Sequence, residues 1–246
     1  MSVAQNVELV RERIATSARR AGRDPSSISL MAVSKTFPAQ AIREAYASGI
    51  RLFGESRVQE FAEKSEALRD LQDGHWHMIG HLQTNKAAKA AELFAGIDSV
   101  DSLRLAEKLN SEAGKLQKKL EVLIEINIGG ESVKSGVAPG SRQLEELLQA
   151  APVLEHLEFR GLMTVPPFSD DPEQARPYFR MLRELRDQIG ARRLPSVSME
   201  VLSMGMSHDF EVAIEEGSTC VRVGTAIFGN RNRNGNGTEE SGNRNG

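Results

Sequence analysis

Apolar and polar positions along the 246-residue chain fall into two alternating rhythms. The first stretch has the helical one: Val3, Val7, Val10, Ile14 and Ala18 recur three or four residues apart, and the run ends at Gly22. This spacing predicts an N-terminal helix over residues 2–22. Gly22-Arg23-Asp24-Pro25 closes it, because proline fixes its own φ and disfavours helix in the residue before it. Beyond that point, short runs rich in β-branched residues alternate with longer amphipathic segments. The runs are Ile28–Lys35, Ile50–Glu55, His75–Gly80, Ile97–Asp101, Leu120–Ile128, Leu157–Val165, Ser198–Met204 and Cys220–Phe228. They predict eight strands. The segments between them, among them AQAIREAYASG, TNKAAKAAELFAG, SRQLEELLQAA, ARPYFRMLRELRDQIG and HDFEVAIEEG, read as helices, and several end in glycine.

Strands that alternate with helices imply right-handed crossovers and a parallel sheet. Seven βα units and a last strand between Ile28 and Gly229, at roughly 26 residues per repeat, match a single-domain (β/α)8 TIM barrel over residues 1–229 with an extra N-terminal helix. A doubly wound open sheet fits less well. It would normally carry Gly-x-Gly-x-x-Gly after its first strand, where this chain reads SKTFP. Residues 230–246, NRNRNGNGTEESGNRNG, contain no apolar side chain to offset the entropy of ordering and predict a disordered polar tail.

Composition narrows the functional classes. Lys+Arg is 31 against Asp+Glu 34, a net charge of −3, which offers no basic footprint for nucleic acid or an anionic membrane. No apolar stretch approaches the ~20 residues of a spanning helix, and the N-terminus lacks a signal-peptide core. The single cysteine, Cys220, has no partner for an internal disulfide. These features predict a cytoplasmic globular protein.

In a barrel of this kind the ligand site lies at the C-terminal ends of the strands. The first strand ends in Lys35, with Met31, Val33 and Lys35 alternating onto one face. Such a lysine either reaches into solvent or, if desolvated, is a nucleophile toward an aldehyde. Arg222 is a permanent charge inside the apolar run CVRVGTAIFG, so it requires a partner, either a neighbouring carboxylate or a ligand. Ser203, Gly205 and Ser207 at the end of strand seven, with Gly224 and Thr225 on strand eight, offer hydroxyls and open backbone N–H groups. In these barrels the loops after those two strands commonly form the phosphate site. His75 and His77 have a metal-ligand spacing, but no acidic constellation completes a site, so no metal is expected. Cys220, among apolar neighbours, reads as packing.

A lysine ending strand one, an arginine on strand eight and a Ser/Gly/Thr cradle together suggest bound pyridoxal 5'-phosphate. The stretches AVSKT, LFGESRVQE, WHMIGHLQTNK, INIGGESVKSG, RGLMTV, LSMGMSHDF and GSTCVRVGTAIFG run from residue 32 to 229. In combination they closely resemble the pyridoxal phosphate homeostasis proteins, single-domain relatives of the N-terminal barrel of alanine racemase. The resemblance implies that Lys35 forms a Schiff base with the cofactor and that Arg222 faces the pyridine nitrogen. It further implies that Ser203, Gly224 and Thr225 hold the phosphate and that Met204 and Gly205 add backbone contacts. The family usually has Asn after FGE where this chain has Ser56, so a ring contact there is weakened.

An arginine beside the pyridine nitrogen disfavours its protonation and leaves the ring a poorer electron sink. Racemisation also needs a second acid–base group, in alanine racemase a tyrosine on an additional domain. The two tyrosines here, Tyr46 and Tyr178, fall in predicted helices, and the chain has no length for that domain. The resemblance therefore implies a binding protein that buffers the cofactor or delivers it to cofactor-dependent apoenzymes, without turnover and monomeric. A weak racemase is the alternative within the same cofactor chemistry. An aldolase using Lys35 directly is the alternative outside it, but it lacks an evident acid–base partner.

Overall fold

The computed structural model describes residues 1–131 and 135–229, so the predicted tail over 230–246 lies outside the described residues. The eight strands are β1 Ser29–Val33, β2 Leu52–Glu55, β3 His75–Met78, β4 Gly96–Val100, β5 Leu120–Glu125, β6 Leu157–Met163, β7 Val197–Met206 and β8 Cys220–Val223. They hydrogen-bond in sequence order into a closed barrel. Every pair is parallel, and Met31 beside Arg222 lies on the β1–β8 seam that closes the ring. The sequence periodicity therefore predicts the architecture correctly.

The helices α2 Ala39–Ala47, α3 Val58–Ser65, α4 Ala87–Leu93, α5 Leu103–Lys115, α6 Arg142–Ala150, α7 Arg176–Ala191, α8 Phe210–Glu215 and α9 Thr225–Phe228 follow the strands. Between strands and helices lies the main core, with Phe53, Phe94, Phe159, Phe179 and Phe210 all fully buried. Phe53 stacks on Trp76 at 5.4 Å between ring centroids, and Trp76 stacks in turn on Phe61 at 5.6 Å. The N-terminal helix, α1 Val3–Arg20, is capped by Ser2, which accepts from the Gln5 N–H while the Gln5 side chain returns to the Ser2 N–H. Its buried stripe, Val7, Val10, Ile14 and Ala18, packs against α2, α8 and α9, and Asn6 Nδ2 donates to the Ile227 carbonyl at 2.8 Å. Among the described residues no helix is long and apolar enough to cross a membrane.

The strand ends differ from the sequence-based expectation, and the site sits at those ends. β1 stops at Val33, two residues short of Lys35, because the chain turns over Ser34–Phe37, with the Phe37 N–H donating to the Ser34 carbonyl. β7 runs two residues beyond Met204, to Met206. β8 stops at Val223, and the run expected to continue it to Phe228 winds into α9, where the Ile227 and Phe228 N–H groups both donate to the Gly224 carbonyl at 2.9 Å. Three consecutive apolar residues carry no period of their own, and stacking of Phe228 on Phe37 at 4.8 Å favours the helical turn. β5 and β6 are also shorter than expected, ending at Glu125 and Met163.

Candidate functional site

A cavity of about 360 Å³ opens at the C-terminal mouth of the barrel. Val33 and Lys35 reach it from β1, Ser56 from β2, and Ile79 and Gly80 from β3. Val165–Ser169 following β6, Asp171, Pro172 and Ala175 before α7, Met206–Asp209 at the end of β7, Arg222 of β8, and Gly224 and Thr225 at the start of α9 complete the wall. Six sequence-predicted residues therefore share one cavity: Lys35, Ser56, Ser207, Arg222, Gly224 and Thr225. Ser203, Met204 and Gly205 do not line it, because β7 extends two residues further than expected. Ser203 is wholly buried below the mouth and accepts a hydrogen bond from Arg222 Nη1 at 2.7 Å. Met204 is core, and its carbonyl accepts from Ser218 Oγ at 2.8 Å. Gly205 has a left-handed φ of 92°, and a Cβ there would lie 2.5 Å from Ala213 Cβ, so it fixes the approach of α8.

The position expected of Ser203 at the mouth is taken by Ser207. Its hydroxyl oxygen accepts from the Gly224 N–H at 3.2 Å and the Ala226 N–H at 3.4 Å. Ser207 thus ties β7 to the first turn of α9, with the Thr225 side chain alongside in the same wall. The Ser207 and Thr225 hydroxyls are suited to phosphate oxygens, as are these N–H groups where a phosphate oxygen replaces Ser207 Oγ as their acceptor.

Arg222 is almost completely buried. Nη2 donates to the Thr164 carbonyl, just past the end of β6, at 2.7 Å and Nη1 to Ser203 on β7, so two neutral acceptors hold the guanidinium. Among the described residues it forms no ion pair with a carboxylate, so the side-chain salt bridge weighed from the sequence is not what holds it. Burial presses its pKa below the ordinary guanidinium value. Cys220, Asp98, Asp209 and Glu125 pull the other way. The charge of Asp98, on β4, thus acts across the barrel on β8. Arginine keeps its proton under such conditions, so a fixed cation faces the cavity.

Carboxyls surround this cation. Asp209 lines the cavity and its Oδ1 accepts from the Met206 N–H at 2.6 Å. Burial raises its pKa, against that hydrogen bond and the charge of Arg222. Glu125, just below, is pushed to about 7, first by burial and then by Asp101. Deeper in the barrel His77 Nδ1 lies 2.8 Å from Asp98 Oδ1. Burial opposes the charged ring, but Asp98 outweighs it and raises the pKa. Among the described residues no group of three His, Cys, Asp or Glu side chains is placed to hold a metal.

Cys220 is fully buried, and burial pushes its thiol to about 12. We expect it to resist alkylation in the folded protein at neutral pH. Incubation with a thiol reagent followed by mass measurement checks this; modification before unfolding would contradict the placement.

Sequence reasoning missed Asp209 and the apolar flank Val165–Phe168. Asp209 reads as an ordinary helix start, and the proline-rich flank has no chemistry of its own to flag it. Neither Tyr46 nor Tyr178 is in the cavity wall. Tyr46 donates instead to the Asp73 carboxylate on the outside of the barrel. Among the described residues the wall presents one primary amine, one fixed cation, the Asp171 and Asp209 carboxyls, several hydroxyl and N–H donors and an apolar side formed by Val33, Ile79, Val165 and Pro166. That donor set fits a flat, anionic, aldehyde-bearing group, and the cavity is at the small end of the ~300–1,000 Å³ typical of ligand pockets.

A family model described as the alanine racemase N-terminal domain matches residues 5–232. A pyridoxal phosphate homeostasis protein of Aquifex aeolicus is 48% identical over 231 residues, covering 94% of this chain and 99% of the relative. The chain belongs to the pyridoxal phosphate homeostasis protein family. A member from Escherichia coli is 42% identical over 93% of this chain and 97% of its own. Among solved structures, PipY of Synechococcus elongatus, determined with pyridoxal phosphate bound, superposes with a TM-score of 0.80 at 38% identity, covering 93% of this chain and all of PipY. Ser56, where the resemblance leads one to expect Asn, has a backbone so close to Gly80 that a Cβ on Gly80 would lie 2.4 Å from the Ser56 carbonyl oxygen. The short side chain therefore remains on the cavity wall while its backbone is fixed.

Proposed function

We propose that this protein binds pyridoxal 5'-phosphate in the barrel mouth and serves cofactor homeostasis, holding the cofactor on Lys35 and releasing it to apoenzymes in the cytoplasm as a monomer. The observation that carries the reading is the convergence of Lys35, Arg222 and the Ser207–Gly224–Thr225 cradle on one cavity of about 360 Å³. The PLP-bound relative PipY supports the cofactor assignment.

The bound cofactor supplies an aldehyde that a primary amine can capture. Lys35 is that amine, carried on the turn after β1. Ser207 and Thr225, with the Gly224 N–H, receive the phosphate, and Ser203, Met204 and Gly205 act from behind by holding Arg222 and the end of β7. Arg222 presents a cation toward the ring, which opposes proton uptake by the pyridine nitrogen and weakens it as an electron sink. Val33, Ile79 and Val165, on the apolar side of the wall, would lie against the ring. Among the described residues no tyrosine lines the wall to serve as the second acid–base group of a racemase, so the arrangement favours binding over turnover.

The test is to load the protein with pyridoxal 5'-phosphate, reduce with borohydride and map the modified peptide, then mix the loaded, unreduced protein with a pyridoxal phosphate-requiring apoenzyme. We expect the reduced adduct on Lys35 and recovery of apoenzyme activity. A reduced adduct on another lysine refutes the site, and sustained racemisation of alanine by the loaded protein refutes the non-catalytic role.

A further inference from the structure

The turn that carries Lys35 is held by a group of charged side chains that the cofactor reading leaves unexplained. Glu55, the last residue of β2, is wholly buried. Its Oε1 accepts from Ser34 Oγ at 2.7 Å and from Lys64 Nζ at 2.8 Å. Lys64, on the last turn of α3, also donates to Glu60 Oε1 at 3.0 Å, to the Ser34 carbonyl at 3.2 Å and to the Phe37 carbonyl at 3.3 Å. Glu60 Oε1 in turn accepts from the Thr36 N–H at 2.5 Å. Ser34, Thr36 and Phe37, the residues flanking Lys35 in the turn, are therefore each fastened to this group.

What is fastened is a strained backbone. Thr36 has φ 67°, in the left-handed region that a β-branched residue rarely enters. Such outliers persist only where their surroundings impose them, and they concentrate at functional positions. Global stability does not account for the group. Two carboxylates and an ammonium taken largely out of water carry a desolvation penalty, and well-packed apolar side chains of similar volume are often as stable. Glu55 Oε2 is buried without a hydrogen-bond partner. What the group does provide is a defined position for three residues of the turn, and hence for the Cα of Lys35 between them.

We propose that Lys64, braced by Glu55 and Glu60, is a positioning residue for Lys35: it holds the Ser34–Phe37 turn in its left-handed form so that the lysine amine enters the cavity ready to capture the cofactor aldehyde. This rests on Lys35 being the capturing amine. In that step the lone pair of the neutral amine adds to the aldehyde carbon, the carbonyl oxygen departs as water with the two amine protons, and a C=N bond replaces C=O. Lys64 takes no part in these bond changes. It limits where the attacking nitrogen can start.

A double-mutant cycle separates positioning from general structure. Retention of pyridoxal 5'-phosphate is measured by equilibrium dialysis in the parent protein, Lys64→Met, Lys35→Ala and the double variant, and borohydride-trapped adduct on Lys35 is followed over time. We expect Lys64→Met to weaken retention and slow adduct formation about tenfold when Lys35 is present, and to leave the residual non-covalent affinity unchanged when Lys35 is Ala. An equal loss in both backgrounds, or no loss in either, overturns the proposal while leaving the assignment of Lys35 standing. If Lys35→Ala alone leaves retention and the total borohydride-fixed cofactor unchanged, the assignment of Lys35 falls and the positioning role with it. Should Lys64→Met fail to fold, Glu60→Gln serves in the same cycle. The Glu60 side chain is 24% exposed and its replacement keeps the shape while weakening the hold on Thr36 and Lys64. There the expected change is about threefold, again confined to the protein that retains Lys35.

Discussion

Lys35→Ala is expected to abolish the borohydride-fixed adduct and to weaken retention of pyridoxal 5'-phosphate by about 100-fold or more, equivalent to roughly 3 kcal/mol. The alanine variant keeps the fixed cation of Arg222, the Ser207 and Thr225 hydroxyls and the apolar wall, so a residual non-covalent affinity should remain. Folding should be little affected. Lys35 is half-buried on a turn, and its neighbours Ser34, Thr36 and Phe37 keep their own hydrogen bonds. A change in stability within about 1 kcal/mol is the expectation for such a position. Lys35→Arg sharpens the comparison. It preserves the positive charge but offers a guanidinium, which stays protonated and does not condense with an aldehyde. If the role of Lys35 is nucleophilic, arginine behaves like alanine in the trapping experiment. If it is only electrostatic, arginine restores most of the retention. Difference spectra of the loaded proteins and peptide mapping after reduction distinguish the two.

How far the sequence carried the site follows from what kind of signal each residue leaves. The barrel was legible because every strand is a short apolar run between amphipathic segments, and eight repeats reinforce one another. Lys35 and Arg222 were legible for the opposite reason, as single charges where the pattern calls for apolar residues. The boundaries were not. Whether β7 stops at Met204 or Met206 decides whether Ser203 or Ser207 lines the cavity, and that depends on a left-handed Gly205 and on Asp209 accepting from the Met206 N–H. Periodicity does not encode either one. The same holds for GTAIF, where the packing of Phe228 on Phe37 selects helix over strand. The motif LFGESRVQE was visible as part of a resemblance, yet the role of its glutamates was not. Glu55 meets Lys64 nine residues away only because a strand end and the following helix fold back onto the turn after β1. The loop motif INIGGESVKSG includes residues 132–134, outside the described residues.

Arg222 carries the second large effect, and here stability and cofactor electronics move together. Replacing it with Gln removes the charge but leaves an amide able to donate to Ser203 Oγ or to the Thr164 carbonyl. Replacing it with Glu removes both donors and adds a carboxyl beside Asp98, Asp209 and Glu125, whose charges already act on this position. Unsatisfied buried acceptors cost ~1–3 kcal/mol each, and in Arg222→Glu like-charge repulsion adds to that. For a chain of this size we expect a fall in melting temperature of roughly 4–8 °C for Gln and roughly 8–15 °C for Glu, measured on the unloaded proteins by calorimetry. The reverse order would mean that the cation is not what the surrounding carboxyls require. The loaded proteins answer the functional question. If Arg222 faces the pyridine nitrogen, removing its charge lets that nitrogen take up a proton at higher pH, so the visible absorbance of the bound cofactor should titrate differently in Arg222→Gln than in the parent. A spectrum and pH titration identical to the parent, alongside a lowered melting temperature, would reduce Arg222 to a brace between β6, β7 and β8. It would also remove the electronic reason for a cofactor that is held but not used. A shifted titration would instead tie a weakened electron sink, and so the proposed non-catalytic role, to one buried guanidinium held by Ser203 and Thr164.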